Sequence, residues 1–109
     1  MPSNPNNSGR QARHWLLTLH QPDWSPPSEQ LPQHMVWLRG QKEIGSNTGA
    51  VHWQLFASYD RPVRLAKLKK DFGNTVHAEP SRSEAAAHYV WKEDTAIAGK
   101  FDFSKIDLT

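Results

Sequence analysis

Val51-His52-Trp53-Gln54-Leu55-Phe56-Ala57-Ser58-Tyr59 is the stretch on which the fold turns. Side chains alternate across a strand, so residues two apart share a face. Val51, Trp53, Leu55, Ala57 and Tyr59 form one greasy face, and His52, Gln54, Phe56 and Ser58 form a mixed one. The pattern predicts a strand lying on a core. With helices covering the greasy face, His52 and Gln54 are left on an open face, where a large ligand has access.

Upstream, Met35 to Glu43 reads as a second strand. Gly45-Ser46-Asn47-Thr48-Gly49 joins the two as a hairpin with a long turn. Arg13 to His20 is an apolar first strand. Gln21 to Gln33 holds Pro22, Pro26, Pro27 and Pro32, so it is a loop with at most one helical turn near Ser28. Residues 1–12 open with Pro, Asn, Ser and Gly and almost no apolar side chain, the composition of a disordered tail.

Downstream, Pro62 stands where a helix can begin without its N–H, and Leu65, Leu68 and Phe72 follow at helical spacing before Gly73. Thr75 to Glu79 is a short fourth strand. Ser81-Arg82-Ser83-Glu84 has the form of a capping box, opening a second helix that runs to about Glu93. Lys100 to Phe103 is a last strand. Strand, strand, strand, helix, strand, helix, strand predicts an α+β sandwich of two layers, with the helices on one side.

A chain of 109 residues, 37% apolar, supports one domain with a modest core. It has no apolar run long enough to cross a bilayer. With no Cys, disulfides and thiolate metal sites are excluded. The net charge of +2 is unevenly spread: residues 1–70 carry nine Lys/Arg against four Asp/Glu, and residues 71–109 carry four against seven. The basic half is compatible with a nucleic-acid partner. Of the five Trp, Trp15, Trp37 and Trp53 are expected in the core, because they lie in apolar strands. There is no G-x-x-x-x-G-K-[S/T] phosphate loop and no G-x-S-x-G elbow.

What remains for chemistry is one constellation. His52 and Gln54 share a strand face, and Glu43 offers a carboxylate just upstream. Imidazole with carboxylate and amide oxygens suits Mn²⁺ or Mg²⁺ with positions open for water and phosphate. Tyr89 and Lys92 lie at i and i+3, on one helix face. A phenol of pKa about 10 is a poor nucleophile when neutral, but a cation on the scissile phosphate lessens the demand on it. An ammonium stabilises the charge that develops. Singly, each feature has an ordinary reading: a half-exposed His-Gln pair, a carboxylate facing water, a Tyr at a helix–sheet seam, a solvated Lys. Of the other histidines, only His20 is placed to reach the site; His14, His34, His77 and His88 read as surface or seam residues.

Three segments carry a resemblance. Trp15-Leu16-Leu17-Thr18-Leu19-His20-Gln21-Pro22, Val51-His52-Trp53-Gln54-Leu55 and His88-Tyr89-Val90-Trp91-Lys92-Glu93 look like the three motifs of the HUH endonuclease domain of rolling-circle replication initiator (Rep) proteins from circular single-stranded DNA viruses, circovirus-like in pattern. The likeness spans about residues 13 to 103 and departs from the family at His20-Gln21, where two Asn are common. It implies a five-stranded antiparallel sheet with flanking helices, of ferredoxin/RRM-like HUH topology. Glu43, His52 and Gln54 would be metal ligands, Tyr89 the nucleophile that forms a 5′-phosphotyrosine, and Lys92 its phosphate partner, with Glu79 a second candidate carboxylate. The substrate implied is single-stranded DNA at a viral origin stem-loop with its nonanucleotide, acted on in the host nucleus.

The resemblance also implies a nuclease domain over residues 13–104, followed at 105–109 by the start of a linker to a further domain. The isolated domain would be a monomer and the full-length protein an oligomer. The competing class is a non-catalytic single-strand-binding module with an RRM-like sheet, which explains the Trp content but not the company of Glu43, His52, Gln54, Tyr89 and Lys92.

Overall fold

The segment Val51–Val63 forms the central strand, β3, and its composition explains why. Leu55 and Ala57 on one face and Phe56 on the other are all fully buried, so this strand needs cover on both sides. β1 (Ala12–Leu19) and β2 (Met35–Ile44) flank it, and β4 (His77–Ser81) and β5 (Ala96–Ser104) complete the sheet at the two edges. The order is β4-β1-β3-β2-β5 and every neighbouring pair is antiparallel. With helix α1 (Leu65–Phe72) this is an α+β fold. The computed structural model describes residues 10–21, 23–27, 29–45, 49–82, 87, 90 and 96–104.

The main core lies on the greasy face of β3. Trp15, Leu17, Leu19, Met35, Leu38, Trp53, Leu55, Ala57 and Tyr59 meet Leu68 and Phe72 of α1 there. Trp24 packs edge-on against Trp53 from the proline-rich loop. The opposite face has its own cluster, in which Ala87 and Val90 are buried against Phe56 with Leu16 and Trp37 alongside. The expectation of helices on one side is therefore corrected: α1 covers one face, and Ala87 and Val90 cover part of the other. Phe56 dictates this, since a large apolar ring at mid-sheet is costly to leave in water.

Trp37 is the second correction. Trp15 and Trp53 fill the main core as expected, but Trp37 sits on the far face, edge-on to Phe56. The register of β2 on β3 slips between Met35 and Trp37. One extra residue inverts the alternation, so Met35 faces the main core while Trp37 faces away.

Pro62 does not open the helix. β3 runs on through it, pairing Val63 with Ala12, and α1 begins after Arg64, which is extended at φ −101° and ψ 170°. Proline is tolerated near a strand end beside an irregular register. Gly73 does end α1: its φ is 106°, a conformation that favours glycine, and its N–H donates to the Lys69 carbonyl at 2.8 Å. The fourth strand lies two residues later than expected, at His77–Ser81, and Ser81 is its last residue. Of the remainder of the expected second helix, only Arg82, Ala87 and Val90 are among the described residues.

Tyr59 and Asp71 bolt α1 to the sheet. The phenol donates to Asp71 Oδ2 at 2.8 Å, and Lys67 Nζ donates to Asp71 Oδ1 at 2.9 Å. Burial first, then the Asp71 charge and hydrogen bond, push the Tyr59 pKa far above the ordinary 10.0. A group whose pKa is raised on folding contributes stability that is complete below its unfolded pKa and is lost as pH rises above it. Wild-type protein should thus lose stability above about pH 10, and Tyr59→Phe should lack that added alkaline loss. At neutral pH the same substitution should cost about 1–3 kcal/mol, because the buried carboxylate loses a donor. The chain has two Tyr, and the Tyr59 phenol should contribute no phenolate absorbance near pH 10 while the protein stays folded. Two phenols titrating there with the fold intact would refute this placement.

Candidate functional site

Antiparallel pairing sets the polar residues of the mixed face in rows. Glu43 on β2 lies directly opposite His52 on β3. In the next row, Gln41, Gln54, Thr18 and His77 align across β2, β3, β1 and β4. The row after that holds Arg39, Phe56, Leu16 and Glu79. Residues two apart along a strand are separated by about 6.6 Å. Ala87 and Val90 are therefore docked on the row immediately beyond Gln54.

Glu43 and His52 come together at the end of this face nearest the β2–β3 turn, and Gln54 lies one row along on the same face with its amide turned toward β1. Glu43 is only 3% exposed. Its Oε2 accepts from Gln41 Nε2 at 3.1 Å, and its Oε1 faces His52 Nε2 at 3.7 Å. Gln54 is locked as well: its Nε2 donates to the Leu17 carbonyl at 3.1 Å, and its Oε1 accepts from the Thr18 hydroxyl at 3.3 Å. His20, just beyond β1, brings its ring centroid to 5.5 Å from that of His52.

The donors suit a hard divalent cation. Two atoms bound to one such ion at about 2.1 Å stand about 3.0 Å apart when adjacent in an octahedron and about 4.2 Å apart when opposite. The 3.7 Å between Glu43 and His52 lies between these two separations, so a side-chain adjustment of under an ångström would bring them to an adjacent pair. Glu43 is a buried carboxylate facing an imidazole and an amide, which is a costly position unless a positive charge joins it. Among the described residues no three His, Cys, Asp or Glu side chains cluster together. Any cation here would depend on Gln54, a neutral amide, for its third protein donor.

The remaining candidates separate. Glu79 shares the face but lies on edge strand β4, exposed and engaged with His77 at 3.1 Å. It is about two strand spacings, roughly 10 Å, from β3. Gln21 donates to Thr75 Oγ1 at 3.2 Å, outside the cluster. Tyr89 and Lys92 lie outside the described residues.

Three neighbours were not singled out in the sequence. Gln41 holds the Glu43 carboxylate and Thr18 engages the Gln54 amide. Arg39 donates from Nε and NH2 to Asp102 and from NH1 to the Ala87 carbonyl at 3.3 Å, tying β2 and β5 to the chain two residues before Tyr89. Gln41 was within reach of a period-two argument, being two residues from Glu43. Arg39 was not, because its partners lie 48 and 63 residues away.

Comparison with known proteins bears on this arrangement. Residues 12–93 match the family model Viral_Rep, “Putative viral replication protein”. The match runs from the first residue of β1 through β4 and onward past Tyr89 and Lys92. No curated protein matches the chain. The chain belongs to the viral replication protein family.

Proposed function

We propose that this domain is an HUH-type, metal-dependent endonuclease that nicks and rejoins single-stranded origin DNA to initiate rolling-circle replication. One observation carries the reading: Glu43 faces His52, and both share with Gln54 the sheet face on which Ala87 and Val90, the described neighbours of Tyr89, are packed. The strand order 4-1-3-2, with β5 added beside β2, supports a ferredoxin-like HUH sheet.

In this mechanism the Tyr89 oxygen attacks the scissile phosphorus and its proton passes to solvent. The bond from phosphorus to the 3′ oxygen breaks, and that oxygen takes up a proton to become a free 3′-OH. The 5′ side remains as a phosphotyrosine. Attack by a 3′-OH on that linkage reverses the step and joins strands, since bond energies nearly balance. Lys92 neutralises charge on the phosphate. Glu43, His52 and Gln54 would hold Mn²⁺ or Mg²⁺, which when bound polarises the phosphate oxygens. Action in the host nucleus, and assembly of a longer protein into an oligomer, extend the same proposal.

The competing non-catalytic module needs exposed rings for base stacking. Phe56, the central aromatic of the mixed face, is instead fully buried. The test is an origin-type single-stranded oligonucleotide incubated with the domain and Mn²⁺. An SDS-resistant adduct that EDTA prevents, mapped by mass spectrometry to Tyr89, is the expected result. DNA binding with no adduct under any divalent cation would decide for the binding module.

A further inference from the structure

A second feature lies at the opposite end of β1. A cleft of about 430 Å³ opens between the start of β1 and the end of β4, lined by Arg10, Gln11, Ala12, Arg13, His14, Pro80, Ser81 and Arg82. Three of these are arginines, all exposed, and none is acidic. The nearest carboxylate along β4, Glu79, is already engaged by His77. Arg13 is anchored by Nε, which donates to the Tyr59 carbonyl at 3.3 Å. Its terminal nitrogens keep four further N–H donors. His14 is fixed beside it, with Nδ1 2.9 Å from Ser58 Oγ and its ring stacked on Phe56 at 5.9 Å.

Arginines lining a concave site with no acidic residue among its described lining match the forked geometry of phosphate. We infer that this cleft is a second DNA-binding subsite, which grips backbone phosphates of the strand away from the nick. The inference rests on the proposed DNA substrate but not on catalysis. From His14 to His20 is six residues of β1, about 20 Å. That is on the order of six nucleotides at the roughly 3.4 Å per nucleotide of stacked DNA. One strand can therefore span both ends of the sheet, and its phosphates can be held in single-stranded or duplex form.

The test measures binding by fluorescence anisotropy without divalent cation, so a failure of nicking leaves it intact. Oligothymidylates of about six and about twenty nucleotides, and a hairpin with a duplex flank, are compared across a salt series. Wild-type protein should bind a longer DNA more tightly than the short one, with a steeper salt dependence. Arg13→Ala with Arg82→Ala should remove about ten-fold of that length advantage and flatten the salt slope by about 0.7 per lost single-strand contact. Retention of part of the advantage by the Arg-to-Lys pair would separate charge from fold. A gain only with the duplex flank, or only with the single strand, identifies which form the cleft holds and supports it. No length advantage in wild type, or equal losses for short and long DNA in the Ala pair, overturns it.

Discussion

His52→Ala should reduce nicking by at least about a hundred-fold while changing single-stranded DNA affinity by no more than about three-fold. The imbalance follows from where His52 sits. It faces Glu43 Oε1 at 3.7 Å, so on the proposed mechanism its loss removes one of three donors and leaves the buried Glu43 carboxylate without its imidazole neighbour. DNA affinity has other sources, since backbone contacts supply most of it and are spread over the surface. A quenched-flow or gel assay of the nick, alongside anisotropy with uncleaved DNA, measures both quantities. Mn²⁺ affinity followed by electron paramagnetic resonance should fall in parallel. Nicking at wild-type rate would remove His52, and with it this cation site, from the mechanism.

Gly40→Ala should destabilise the domain by about 1–3 kcal/mol through overpacking and lower its melting temperature by about 4–8 °C for each of those kcal/mol. Gly40 stands opposite Leu55 on the core side of β2. A Cβ there would collide with Leu55 Cδ2 and approach the Gln54 carbonyl oxygen to 2.5 Å. The second obstacle is backbone, so no side-chain rotation relieves it, and β2 must move off β3. The same two strands hold Glu43 against His52 and Gln41 beside Gln54. Nicking should consequently fall even at temperatures where the variant stays folded. Thermal denaturation with a nicking assay well below the midpoint tests both parts. Unchanged stability would mean that the two strands have slack at their closest approach.

Much of this was legible along the chain. Period-two alternation placed His52 and Gln54 together, away from Trp53 and Leu55, because a strand leaves each side chain only two directions. Glycines marked both the β2–β3 turn and the end of α1, where Gly49 and Gly73 adopt positive φ. Other features were hidden for a physical reason: they depend on partners far away in sequence. The register slip beside Trp37 arises from pairing with β3. Pro62 stays in a strand because Val63 pairs with Ala12, 51 residues earlier. The arginine cleft joins residues about 70 apart that share no motif.

The sequence by itself determined the α+β class, the alternating faces of the central strand and the identity of Glu43, His52 and Gln54 as candidate donors, since these follow from local periodicity and side-chain chemistry. Only the tertiary structure decided that Glu43 is buried opposite His52, that Gln41 and Thr18 lock the donors in place, and that chain packs on both faces of the sheet. Those outcomes depend on strand order and register, which local pattern leaves open and which the packing of Phe56 and the main core resolves.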